Sequence, residues 1–92
     1  MTITWHDFEA WLQQVRKRQG LSQERLAETM GYTRIHIWRL EHGDSHPSTR
    51  FLQLLQYKVA LTPVEMKWRA IFEKMAAYHC EDMKIEEGSF SA

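Results

Sequence analysis

The sequence predicts an all-α fold built from five helices. Apolar residues recur three and four positions apart in five separate stretches, and this spacing places them on one face of a helix. A serine or threonine suited to an N-cap precedes each stretch, and a glycine follows each of the first three. No stretch requires a strand. The 92 residues suit a single domain.

The first helix is predicted to begin after Thr4 and to end before Gly20. Its last turn is basic, which suits the negative end of a helix dipole. Its core face carries Trp5, Phe8, Trp11, Leu12 and Val15.

The segment that follows predicts two short helices that cross through a tight turn. Leu26 and Met30 lie four apart on one helix face, and Ala27 beside them is small enough for a second helix to approach closely. Gly31 can adopt the left-handed conformation that the tight exit from this helix requires.

The helix after this turn is predicted over about residues 33–42. Thr33 is its candidate N-cap, and Ile37 and Leu40, three apart, face the core. The side chains that point away from the core are Arg34, Ile35, Trp38 and Arg39.

These two helices, with GLSQ before them and EHG after them, resemble the helix-turn-helix of the XRE, or phage repressor (Cro/CI), family. The resemblance covers about residues 8–64. It implies a five-helix phage-repressor-like domain that binds double-stranded DNA and regulates transcription. Its constrained positions are Leu26, Ala27, Met30, Gly31, Ile37, Leu40 and Glu41, with Ser22, Gln23 and Gly43 at the flanks.

In such a domain we expect the outward side chains of the recognition helix to contact bases. Arg34 and Arg39 can each bond both acceptors on the major-groove edge of guanine, and phosphate neutralisation is the alternative for both. Ile35 can touch a thymine methyl group. Trp38 is expected either along the sugar-phosphate wall or against the second helix. Phosphate contacts are expected near helix N-termini and after the recognition helix, from Ser22, Gln23, Thr33, His42, Ser48 and Arg50. For His42, Ser48 and Arg50 the alternative is an ordinary solvated loop.

The resemblance also implies a structural ion pair between Arg16 of the first helix and Glu41 of the recognition helix. Such a pair would attach the recognition helix to the rest of the domain. We expect that its loss would weaken the fold and DNA binding together.

The last third of the chain predicts a long fifth helix. Thr62-Pro63-Val64-Glu65 combines a capping box with a proline at the first helical position, so the helix is expected over about residues 62–84. Residues 85–92 are expected to form a flexible tail, or at most a short extended arm. Its apolar face is longer than a small domain can cover. We therefore expect a homodimer interface formed by Trp68, Ile71, Phe72, Met75 and Tyr78. The alternative is that this helix folds back along the first helix, against Trp5 and Trp11.

Composition excludes several other classes of protein. Cys80 is the one cysteine, so no internal disulfide forms, and no stretch has the length of a membrane span. We expect a cytoplasmic location, in a bacterial cytosol or nucleoid. His42 and His46 lack nearby thiolates and helical register, so no metal site is predicted. No catalytic set stands out, and neither a cofactor nor an enzymatic activity is expected.

The charge is evenly balanced, with 12 basic and 12 acidic residues. Residues 1–61 hold eight of the basic and six of the acidic side chains, so the predicted DNA-binding part is weakly basic. The leading hypothesis is a dimeric repressor of phage, plasmid or bacterial origin. The alternatives are an antitoxin whose C-terminal region binds its toxin, and an adaptor that binds proteins through the helix-turn-helix. Duplex binding that weakens steeply with salt separates a DNA reader from an adaptor.

Overall fold

The computed structural model describes residues 1–86, and the fold is mostly helical, as predicted. Five helices follow one another: α1 (Trp5–Arg18), α2 (Gln23–Met30), α3 (Arg34–His42), α4 (Thr49–Lys58) and α5 (Pro63–Ala77). Two short strands, β1 (Thr2–Thr4) and β2 (Asp82–Lys84), pair in antiparallel orientation at the two ends of this part of the chain.

Side-chain caps fix where the helices begin. The hydroxyls of Ser22, Thr33, Ser48 and Thr62 each accept the backbone N–H of the residue three positions later, at 3.1 to 3.2 Å. Each bond satisfies one of the N–H groups that a helix N-terminus leaves without a partner. At the start of α1 the backbone N–H of Thr4 donates to the Asp7 carboxylate, at 2.8 Å.

One hydrophobic core joins all five helices, and aromatic contacts connect α1 with α5. The ring of Phe72 lies 5.3 Å from Phe8, 5.4 Å from Trp11 and 6.3 Å from Trp5, measured between centroids. Helix α5 therefore folds back along α1, which was the alternative to a dimer interface predicted for the last third of the chain.

This packing corrects the predicted dimer interface. Phe72 and Met75 are 0% exposed within a single chain, so they belong to the monomer core and present no surface to a partner. Trp68 stacks on Phe72 and is partly buried, as is Ile71. Tyr78 is different, because 71% of its surface is exposed.

The fifth helix is also shorter than predicted, since it ends at Ala77 and not near residue 84. His79 takes a positive φ of 53°, and its N–H reaches the carbonyl of Ala76 while the N–H of Cys80 reaches that of Met75, at 3.4 and 2.9 Å. These two bonds form the Schellman arrangement that closes a helix C-terminus. The indole Nε1 of Trp5 donates to the carbonyl of Cys80 at 2.9 Å, which ties the exit turn to α1.

The strand pair was not predicted. Thr2, Ile3 and Thr4 lie opposite Lys84, Met83 and Asp82. Met1 and Ile85 extend the pair by exchanging two hydrogen bonds of 2.8 and 2.9 Å. The first residue of the predicted tail, Ile85, therefore lies in an extended segment that pairs with Met1, and residues 87–92 of that tail lie outside the described part. Ile3 is 1% exposed, so the strand contributes to the core.

Candidate nucleic-acid interface

Helices α2 and α3 pack closely because small and apolar residues meet where they cross. Ala27 is 3% exposed, and Ile37 and Leu40 from the next helix are 0% exposed. Gly31 ends α2 with a φ of 77°, a conformation that L residues with a side chain rarely adopt. The N–H of Tyr32 then reaches the carbonyl of Ala27 at 2.8 Å, which closes the turn.

A buried carboxylate attaches α3 to the two preceding helices. Glu41 is 2% exposed, and its oxygens lie 2.6 Å from Nε and 3.1 Å from Nη2 of Arg16. The side-chain amide of Gln23 donates to the same carboxylate at 3.2 Å. The remaining guanidinium nitrogen of Arg16 donates to the carbonyl of Leu21 at 2.9 Å. The orientation of α3 is thus set by charge-assisted hydrogen bonds as well as by packing.

The sequence did not single out Gln13, which also holds α3. Its side-chain amide donates to the backbone carbonyl of Glu41 at 3.0 Å. Gln13 lies three residues before Arg16, and this spacing on one helix face is the signal that could have identified it. A neutral amide is common on helix surfaces, so the spacing alone does not distinguish it.

The outward face of α3 carries the four side chains expected to contact bases. Arg34 and Arg39 are exposed, Ile35 is 58% exposed and Trp38 is 41% exposed. Arg34, Ile35 and Trp38 together line a shallow surface depression. The structure therefore brings these three residues together at the solvent-facing side of the helix.

The arginines of this chain divide into two groups. Four of them pair with glutamates: Arg16 with Glu41, Arg18 with Glu65, Arg25 with Glu28 and Arg69 with Glu73. Arg34, Arg39 and Arg50 make no hydrogen bond or ion pair within residues 1–86. Unpaired guanidinium groups are thus concentrated on α3 and at the start of α4.

His42 covers one face of the Trp38 ring, and 41% of Trp38 remains exposed. The two rings are stacked, with centroids 4.1 Å apart and an interplanar angle of 13°. Nδ1 of His42 also lies 2.8 Å from the carbonyl of Trp38. Because a carbonyl only accepts, Nδ1 carries the hydrogen. His46, by contrast, stacks on Trp5 at 4.9 Å.

The residues expected to contact phosphate lie at helix N-termini and in the turn after α3. Ser22, Thr33 and Ser48 are the N-caps of α2, α3 and α4. Each hydroxyl oxygen accepts a backbone N–H, and its own hydrogen remains available to a phosphate oxygen. Gln23 commits one amide hydrogen to Glu41, and Arg50 is exposed in the first turn of α4.

These features define a helix-turn-helix: two short crossing helices, a glycine turn, and a second helix that presents arginines to solvent. The comparison with protein families agrees, because residues 12–56 match the helix-turn-helix family model. This part of the chain is an XRE-family helix-turn-helix domain, which is a DNA-binding regulatory domain. No curated protein and no solved structure matches the chain. No helix within residues 1–86 has both the length and the apolar character needed to cross a membrane.

Proposed function

We propose that this protein is a sequence-specific transcriptional repressor that binds a two-fold operator as a homodimer. The observation that carries the proposal is the division of the arginines. Four are neutralised by glutamates, whereas the three without an acidic partner lie on α3 and at the start of α4. A surface that leaves guanidinium groups unpaired suits a polyanion such as the DNA backbone.

Arg34 and Arg39 are proposed to specify the operator. They lie on the solvent-facing side of α3, the helix that a helix-turn-helix places in the major groove. A guanidinium can bond N7 and O6 of guanine together, and each such contact discriminates against a wrong base by about 1–3 kcal/mol. The N-cap hydroxyls and Arg50 are proposed to bind phosphates, which fixes the position of the domain without selecting sequence.

The first experiment selects bound duplexes from a random pool and then repeats the binding with Arg34→Ala and Arg39→Ala. Each substitution should weaken the selected duplex by about ten-fold or more and relax the preference at one position. Lys67→Ala is the matched control, because it removes a positive charge from the exposed side of α5. Sequence preference that survives both arginine substitutions would show that α3 does not read bases.

The dimer is proposed to form through the surface of α5 around Tyr78, the residue of the predicted interface that remains largely exposed. Arg69, Glu73 and Lys74 line a shallow groove beside it. Two copies are needed because one domain of a neutral protein has few phosphate contacts, and a two-fold operator doubles them.

Sedimentation of Tyr78→Ala tests the dimer. Tyr57→Ala is the matched control, because Tyr57 is 79% exposed and lies on α4, outside the proposed interface. We expect Tyr78→Ala to shift the chain to monomer and to weaken operator binding, whereas Tyr57→Ala remains dimeric. A wild-type chain that sediments as a monomer and binds the selected operator as a single copy would contradict the dimeric part of the proposal.

A further inference from the structure

The depression on the outward face of α3 is lined by two apolar side chains and one cationic side chain. The apolar side chains, called the walls below, are those of Ile35 and Trp38, and the cationic one is that of Arg34. An isoleucine that is 58% exposed gains nothing from contact with water, and the two walls make a small apolar surface beside a guanidinium. A ligand for this site must therefore present a small apolar group next to hydrogen-bond acceptors.

The tryptophan wall is held in place before any ligand binds. His42 stacks on the indole ring at 4.1 Å, and its Nδ1 donates to the backbone carbonyl of Trp38 at 2.8 Å. The stack limits the rotation of the indole. A wall that is already ordered loses little side-chain entropy when a ligand meets it.

The major groove offers one kind of small apolar group, the methyl on C5 of a pyrimidine. Thymine carries this methyl group, and 5-methylcytosine carries one at the same ring position. The acceptors N7 and O6 of guanine lie in the same groove and match a guanidinium. Both chemical requirements of the depression are met by a methylated pyrimidine beside a guanine.

We propose that this depression holds the 5-methyl group of a pyrimidine, between Ile35 and Trp38, while Arg34 bonds the guanine of a neighbouring base pair. The inference rests on the proposed function and deepens it, because it names the chemical group that the α3 face reads. Ile35 and Trp38 are specificity-determining residues in this arrangement, and His42 is a positioning residue.

The test begins with the duplex selected from a random pool. Each thymine of one half-site is replaced in turn by deoxyuridine, which removes the methyl group and keeps every hydrogen-bonding group of the base. At one position we expect binding to weaken about four-fold, the factor for one methyl-sized group withdrawn from an apolar site. At that position a cytosine pair is then compared with a 5-methylcytosine pair, and the methylated form should bind about four-fold more tightly than cytosine.

Two protein variants connect this effect with the depression. With Ile35→Ala the ratio between the thymine and deoxyuridine duplexes should fall towards one. Val64→Ala, which also shortens an exposed aliphatic side chain but lies on α5, should retain the four-fold ratio. The ratio is measured within each variant, so a general loss of affinity does not affect it.

The outcomes separate this inference from the function on which it rests. Duplex binding with no position sensitive to deoxyuridine would overturn the methyl site and leave the DNA-binding function standing. A sensitive position that Ile35→Ala leaves unchanged would also overturn it. If 5-methylcytosine does not exceed cytosine while deoxyuridine weakens binding, the site is specific to thymine and the wider assignment to pyrimidine methyl groups is wrong. Failure to select any duplex would overturn both proposals.

Discussion

Removing Arg16 should cost this protein much of its stability, because Glu41 would then remain buried without a counter-charge. Only 1% of the Glu41 side chain is exposed, and two of its three side-chain hydrogen bonds come from Arg16. Breaking a buried pair from one side typically costs about 3–5 kcal/mol. The free energy of unfolding of a typical domain is about 5–15 kcal/mol. We therefore expect Arg16→Ala to fold, with a much lower free energy of unfolding than the wild-type chain.

The decisive comparison adds a second substitution. Glu41→Gln removes the charge and keeps the shape of the side chain, so Arg16→Ala combined with Glu41→Gln should be more stable than Arg16→Ala alone. Urea unfolding followed by circular dichroism measures all three chains. Arg18→Ala serves as the control, because Arg18 makes a similar two-bond contact with Glu65, but 40% of its side chain is exposed. Its loss should change stability far less.

Two results would refute this reasoning. If Arg16→Ala unfolds within about 1 kcal/mol of the wild-type chain, the buried charge is not the dominant cost. If adding Glu41→Gln lowers stability further, Glu41 contributes through contacts that do not depend on its charge. Operator binding, measured below the unfolding transition, should weaken in Arg16→Ala, because the attachment of α3 to α1 is lost.

Three further predictions concern the rest of the fold. The hydrogen bond from Arg69 holds the pKa of Glu73 below its usual value of 4.5. The ionised Glu73 therefore stabilises the fold above pH 4.5, and this contribution is lost as the pH falls through the lowered pKa. In urea unfolding, Glu73→Gln should destabilise the chain at pH 6 but less at about pH 3.5. His79→Gly should raise the free energy of unfolding by about 1 kcal/mol, because glycine adopts the positive φ without strain; a lower melting temperature would contradict this. Ile3→Ala should cost about 2–5 kcal/mol although it lies outside residues 12–56, and an unchanged unfolding midpoint would show that β1 is not part of the cooperative unit.

The central part of the fold could be predicted because its signals are local. N-caps lie in the sequence directly before α2 and α3, and Gly31 marks the turn between them, so boundaries follow from neighbouring residues. The same holds for the outward direction of Arg34 and Arg39, which follows from helical spacing once Ile37 and Leu40 face the core.

The end of α5 and the strand pair could not be predicted, because their causes are distant in sequence. Helix α5 ends at Ala77, and the left-handed residue of its exit turn is His79, where no glycine gives a signal. Trp5 holds this turn from 75 residues away. Met83 continued the apolar spacing of a helix, yet it pairs with Ile3 in the strands. The helical spacing of apolar residues therefore predicted the wrong conformation for the segment around Met83.

The pairing of β1 with β2 affects how the chain reaches its folded state. The bond between Met1 and Ile85 joins residues 84 positions apart, whereas the contacts within α2 and α3 span fewer than 20. Closing the longer loop carries the larger entropy cost, so the short-range contacts are expected to form before the ends meet. Interactions that form after the rate-limiting step slow unfolding and leave the folding rate nearly unchanged. The strand pair therefore extends the lifetime of the folded chain more than it hastens its formation.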